Sequence, residues 1–66
     1  MNLQEAIKLT KEDKVFWTDP NGKNSRHFCI QTIVLIRGEK DPNQIIACIL
    51  DKDGTAIECF IEDLKR

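Results

Sequence analysis

Two turn signals, Asp19-Pro20-Asn21-Gly22 and Asp53-Gly54, cut this 66-residue chain into segments too short for anything but a small, mostly β fold. In the first, proline fixes φ near the turn value and glycine supplies the positive φ that ends a strand. In the second, Asp-Gly is the pair that a tight two-residue hairpin demands. The segments between these signals carry the two-residue alternation of half-buried strands.

Ahead of the strands lies one helical signal. Asn2 followed three residues later by Glu5 forms a capping-box pattern, which predicts a helix over about 3–10. Leu3, Ala6, Ile7 and Thr10 fall on one stripe, so Leu3 and Ile7 are expected to close one open end of the fold. A first strand follows from Lys14 to Thr18, with Val15 and Trp17 on one face and Phe16 on the other. The polar stretch Asp19 to Arg26 is longer than an ordinary hairpin connection, which makes it a candidate binding loop.

His27 to Arg37 is long enough to bend around a small barrel. Phe28, Ile30 and Thr32 lead into the apolar run Ile33–Ile36, where both faces read as buried, so a bend or bulge is expected near Ile33. Gly38 to Asn43 reads as a turn, and Gln44 to Leu50 as the next strand. In the last strand Ile57, Cys59 and Ile61 point inward, and Glu58, Phe60 and Glu62 point outward. Leu64 then tucks a final helical turn underneath. These elements predict a small SH3-like barrel of four or five antiparallel strands with a short N-terminal helix and a C-terminal helical turn, one domain spanning 1–66. An open antiparallel sheet packed on the helix is the competing architecture.

A domain of this size has a core worth only about 3–5 kcal/mol of net stability, so nearly every large apolar side chain is needed inside. With 41% hydrophobic and 32% charged residues, the composition is that of a globular domain rather than a disordered chain. No apolar stretch approaches the roughly 20 residues of a membrane span, and no leader pattern is present, so a cytoplasmic location and no membrane partner are expected. The three cysteines, Cys29, Cys48 and Cys59, each sit within a strand-like run and read as reduced thiols. Net charge is −1. The first 33 residues carry five Lys or Arg against four acids, and the second 33 five against seven, which argues against a dedicated phosphate-binding face.

No motif announces catalysis. His27-x-Cys29 sets an imidazole and a thiol on one side of a strand, but there is no second His and no close Cys pair to complete a metal site, and no group to orient a nucleophile. Asp51-x-Asp53-Gly54 has its glycine at the fourth position rather than the sixth of a calcium loop, so it reads as a hairpin turn. Glu58, Glu62 and Asp63 read as exposed edge carboxylates. No cofactor is expected. Lys23, Arg26 and His27 with Phe16 would offer cations and a stacking ring to a single strand of nucleic acid, as small barrels do. Trp17 reads first as a core anchor, and otherwise as the lining of a groove beside the long loop. Phe16 and Phe60 alternate with inward residues and are the candidates for exposed apolar contact. The expectation is therefore a non-enzymatic interaction module that binds a protein partner or its own copy through loop 19–27. Phe16, Trp17, Asp19, Asn24, Arg26, His27 and Phe60 are its contact residues, and weak nucleic-acid binding is the alternative.

Val15-Phe16-Trp17-Thr18-Asp19-Pro20, Gly22, Ser25, Asp53-Gly54-Thr55 and the stretch from Glu58 to Leu64 stand in an order that resembles a loose group of small bacterial proteins encoded by gut Bacteroides-type genomes and their mobile elements. The resemblance spans roughly residues 14–64 and consists mostly of turn chemistry. It implies an SH3-like barrel and, because the group lacks an assigned activity, no particular function. The chain departs from the pattern in closing on Ile61-Glu62-Asp63-Leu64 and in its three cysteines.

Overall fold

Twelve residues, Arg26–Arg37, form one continuous strand, β2, on which the rest of the sheet is built. The computed structural model describes all residues, 1–66. Before β2 come a helix, α1 (Leu3–Ala6), and strand β1 (Lys14–Trp17). After it come β3 (Ile45–Asp51), β4 (Ala56–Phe60), a 3-10 turn (Ile61–Asp63) and β5 (Leu64–Lys65). The chain is mostly β: five antiparallel strands lie in the order β4-β3-β2-β1-β5. No helix is long and apolar enough to cross a membrane.

β2 serves two half-sheets. Its first residues pair with β1, from Trp17 opposite Arg26 to Lys14 opposite Cys29. Its remainder pairs with β3, and the register slips between Ile30 and Thr32. The extra residue at the slip is Gln31, two positions before the expected bend. Strict alternation would turn Thr32 inward after Phe28 and Ile30. The bulge instead sends Thr32 out and Ile33 in, so the apolar set stays on the interior side while the strand bends.

The end strands β4 and β5 are joined by the three-residue turn Ile61–Asp63 alone. Laid flat, five strands would separate these two edges by about 19 Å. Three residues of 3-10 helix advance only about 6 Å. The sheet must therefore curl until its edges nearly meet, and the turn is fastened where Thr18 N–H donates to the Asp63 carbonyl at 2.9 Å. Inside the curl lie Phe28, Ile30, Ile49, Leu64 and Val15, all essentially inaccessible.

The helix is shorter than its stripe predicts. The capping box forms as read, with Glu5 N–H donating to Asn2 Oδ1 at 2.8 Å and Asn2 N–H to Glu5 Oε1 at 3.1 Å. Lys8 and Leu9 N–H, however, donate only three residues back, to the Glu5 and Ala6 carbonyls at 3.2 and 3.1 Å, so the α-helix ends at Ala6, and farther on Thr10 N–H donates to the Asp13 carboxylate at 3.0 Å. Ala6, at the end of the helix, and Leu9, in the turns after it, are buried, whereas Leu3 and Ile7 are 44% and 64% exposed, so those two close nothing. Between β2 and β3, Gly38 N–H donates to the Gln44 carbonyl at 2.8 Å. A Cβ on Gly38 would stand 2.8 Å from the Asp41 carbonyl oxygen, closer than any side chain is tolerated there.

Candidate functional site

The connection Thr18–Ser25 is organised from within by its first acid. Asp19 is buried, and its carboxylate accepts from the backbone N–H groups of Asn21 and Asn24, each at 2.9 Å. Asp19 N–H donates to the Ser25 hydroxyl at 2.8 Å. The Asn21 amide above all, with those of Asn24 and Lys23, holds the Asp19 carboxyl below the ordinary carboxylate range. Asp19, expected as a contact residue, is thus the loop's internal anchor, and the Asn24 backbone is engaged with it.

Arg26 is also engaged. Its Nη2 lies 3.0 Å from Asp53 Oδ2 and 3.6 Å from Asp51 Oδ2, and its guanidinium sits 4.7 Å over the Phe28 ring. Thr55, through its hydroxyl and amide, and then Arg26 pull the Asp53 carboxyl down to about 2. A depressed carboxyl stabilises the fold at any pH above its ordinary value of 3.8, and that contribution fades as the pH falls toward about 2. Asp51, almost fully buried, accepts from Cys29 N–H at 3.3 Å and from Asp53 N–H at 3.0 Å. Asp51-x-Asp53-Gly54 is therefore turn scaffolding, with Gly54 at φ +95°.

His27 and Phe16 cover one another, ring edge to ring face at 4.8 Å, so Phe16 is half-buried rather than an open apolar contact. Cys29 Sγ lies 3.9 Å from the Glu12 carbonyl oxygen, and no group of three His, Cys, Asp or Glu side chains is disposed to hold a metal ion. Of Lys23, Arg26 and His27, the cations named for nucleic acid, Arg26 is paired with Asp53 and Asp51 of the β3–β4 hairpin and His27 is stacked on Phe16.

The structure brings Trp17 and Phe60 together instead. They line a groove of about 260 Å³ with Pro20, Ile46, Glu58, Cys59 and Asp63. The end of β1 supplies Trp17, the loop Pro20, β3 Ile46, the end of β4 its three residues and the 3-10 turn Asp63. Trp17 answers to both of its readings: its ring stands T-shaped against core Phe28, centroids 6.5 Å apart, while it lines the groove. Its indole N–H is buried and is the one such side-chain group without a hydrogen-bond partner. Burial first, and then the Asp63 charge, push the Cys59 thiol up to about 11, so it stays protonated at neutral pH.

Beyond Phe60 the groove opens onto the outer face of β2, β3 and β4. Strand register sets this face out in three rows: Thr32, Leu50 and Ala56; Val34, Cys48 and Glu58; Ile36, Ile46 and Phe60. Val34 is 57% exposed, Ile36 44% and Phe60 38%. The inner face is just as apolar, since Ile33 and Leu35 lie opposite Ile49 and Ala47. The sequence reading buried both faces of the Ile33–Ile36 run; the structure leaves one open. The signal was present in consecutive apolar residues, but it does not say what covers the second face. No family model, no curated protein and no solved structure is similar enough to the chain to count as a match.

Proposed function

We propose that the chain is a non-enzymatic interaction module, an SH3-like barrel working in the cytoplasm. It meets a protein partner through the outer face of β2–β4 and the adjoining Trp17–Phe60 groove. One observation carries this reading. An antiparallel sheet with one face in water alternates polar residues outward, whereas here seven of the nine outward positions are apolar. Loop 18–25 contributes Pro20 to the surface and otherwise holds itself in shape. Kinship with the Bacteroides-type group belongs to the same proposal.

The reading is tested with the intact protein as bait in an extract of its own cells, beside a Val34→Lys/Phe60→Ser variant. Val34 is 57% exposed and its replacement should cost no more than about 0.5 kcal/mol, while Phe60, 38% exposed, gives up about 1–2 kcal/mol of apolar burial, so far-UV circular dichroism first verifies that the variant is folded. The proteins retained by the wild-type bait are expected to be lost from the variant. An identical set on both baits would refute the surface.

A further inference from the structure

We propose that the Trp17–Phe60 groove receives a single Lys or Arg side chain from an extended segment of a protein partner; this rests on reading the chain as an interaction module. Charge is the first argument. Glu58 and Asp63 are the acids of the groove lining, and no Lys or Arg lines either the groove or the adjoining depression on the outer face. The chain's four ion pairs use Asp51, Asp53, Glu12 and Asp13, so neither groove carboxylate has a cation of its own. An incoming cation supplies what this chain withholds.

Shape and chemistry agree with charge. A volume of about 260 Å³ falls below that of a pocket for a drug-sized molecule, which begins near 300 Å³, but accommodates one long side chain. Lysine and arginine carry an apolar stem beneath a charged head. Here Trp17, Ile46 and Phe60 offer apolar and aromatic surface to the stem, and a cation against an indole or phenyl face gains further attraction. The two carboxylates meet the head. Residues two positions away in an extended segment share its face, so apolar neighbours of that cation would lie toward Val34 and Cys48 on the outer face. A second copy of the chain is the poorer occupant, because it would bring another Glu58 to an interface that already lacks a counter-charge.

Trp17 is the only tryptophan, so its emission reports occupancy directly. The probe is a capped peptide carrying one arginine with a leucine two positions to either side, with its glutamate counterpart as control. Saturable change with the arginine peptide is expected, weakening as salt rises. Glu58→Gln/Asp63→Asn should raise Kd about fivefold, the size expected from losing two partly exposed pairs, and Glu39→Gln, outside the groove, less than about twofold. Three results would overturn the proposal: no saturable binding at millimolar peptide, equal binding of the glutamate peptide, or a double variant that binds as the wild type. Sedimentation showing a dimer whose formation changes Trp17 emission would assign the groove to a second copy and overturn it as well. Should these arms fail while the Val34→Lys/Phe60→Ser bait still loses its partners, only the cation site falls and the module reading stands.

Discussion

Phe28→Ala is expected to leave the chain largely unfolded at room temperature. Phe28 is 1% exposed and lies opposite Val15 in the β1–β2 pairing, with Trp17 edge-on at 6.5 Å and the Arg26 guanidinium over its ring. Truncating a fully buried phenylalanine removes about 3–5 kcal/mol, through lost transfer energy and the cavity left behind. A core of this size supplies about the same amount in total. The bulge at Gln31 fixes Phe28 and Ile30 on the interior side, so a shift of register cannot refill the space without exposing Ile30. Far-UV circular dichroism and urea denaturation read the outcome directly. The comparison is Ile7→Ala, which removes an equally apolar but 64% exposed side chain and should leave the midpoint nearly unchanged. A cooperative Phe28→Ala transition close to that of wild type would show that the interior lies elsewhere.

The second large effect is expected at a charge. Asp51→Ala should lower stability by about 2–3 kcal/mol, more than most surface substitutions and a large share of the total. One Asp51 oxygen accepts from Cys29 N–H, tying the β3–β4 hairpin to β2 just before the bulge, and the other accepts from Asp53 N–H inside the turn. Alanine strands both donors in a site that is 7% exposed, and it takes one of two carboxylates from Arg26. Asp41→Ala is the matched control: it also removes an acid that accepts from an amide two residues on, but in an exposed turn. Urea midpoints for the two variants decide the matter. Equal losses would mean that the buried carboxylate does not bridge the strands.

Much of the fold was legible in the residues. Asp19-Pro20-Asn21-Gly22 and Asp53-Gly54 turn the chain where read, with both glycines at positive φ, and Asn2 with Glu5 caps the helix. Ile57 and Cys59 face inward and Phe60 outward as alternation requires, whereas Ile61 is buried as the first residue of the 3-10 turn rather than as part of the strand. The helix length was not legible, because the stripe continues to Thr10 while the backbone already tightens to three-residue bonds at Lys8 and Leu9. The bulge position depends on keeping Thr32 outside, a choice that only the paired β3 enforces.

The site was legible in part. Trp17 and Phe60 were among its named residues and share one groove, but Ile46, Glu58 and Asp63 join them only because β3 and the 3-10 turn approach β1 in space. Asp19 and Arg26 drew attention as polar loop residues, yet both are engaged within the fold, through Asn21 and Asn24 in one case and Asp53 in the other. A loop's polarity in sequence does not reveal whether its groups face a partner or each other. The open face went unread for a different reason: apolar residues on both sides of a strand mark burial, and nothing local tells whether the cover is this chain or another.

The most direct measurement is a side-chain footprint, by hydroxyl radical or methyl labelling, of the protein alone and in complex with a partner retained by the wild-type bait. Protection is expected at Val34, Ile36, Trp17 and Phe60, with Asn24 and His27 unchanged. Protection confined to 18–27, with the outer face of β2–β4 still open to labelling, would contradict the account and return the contact surface to the loop.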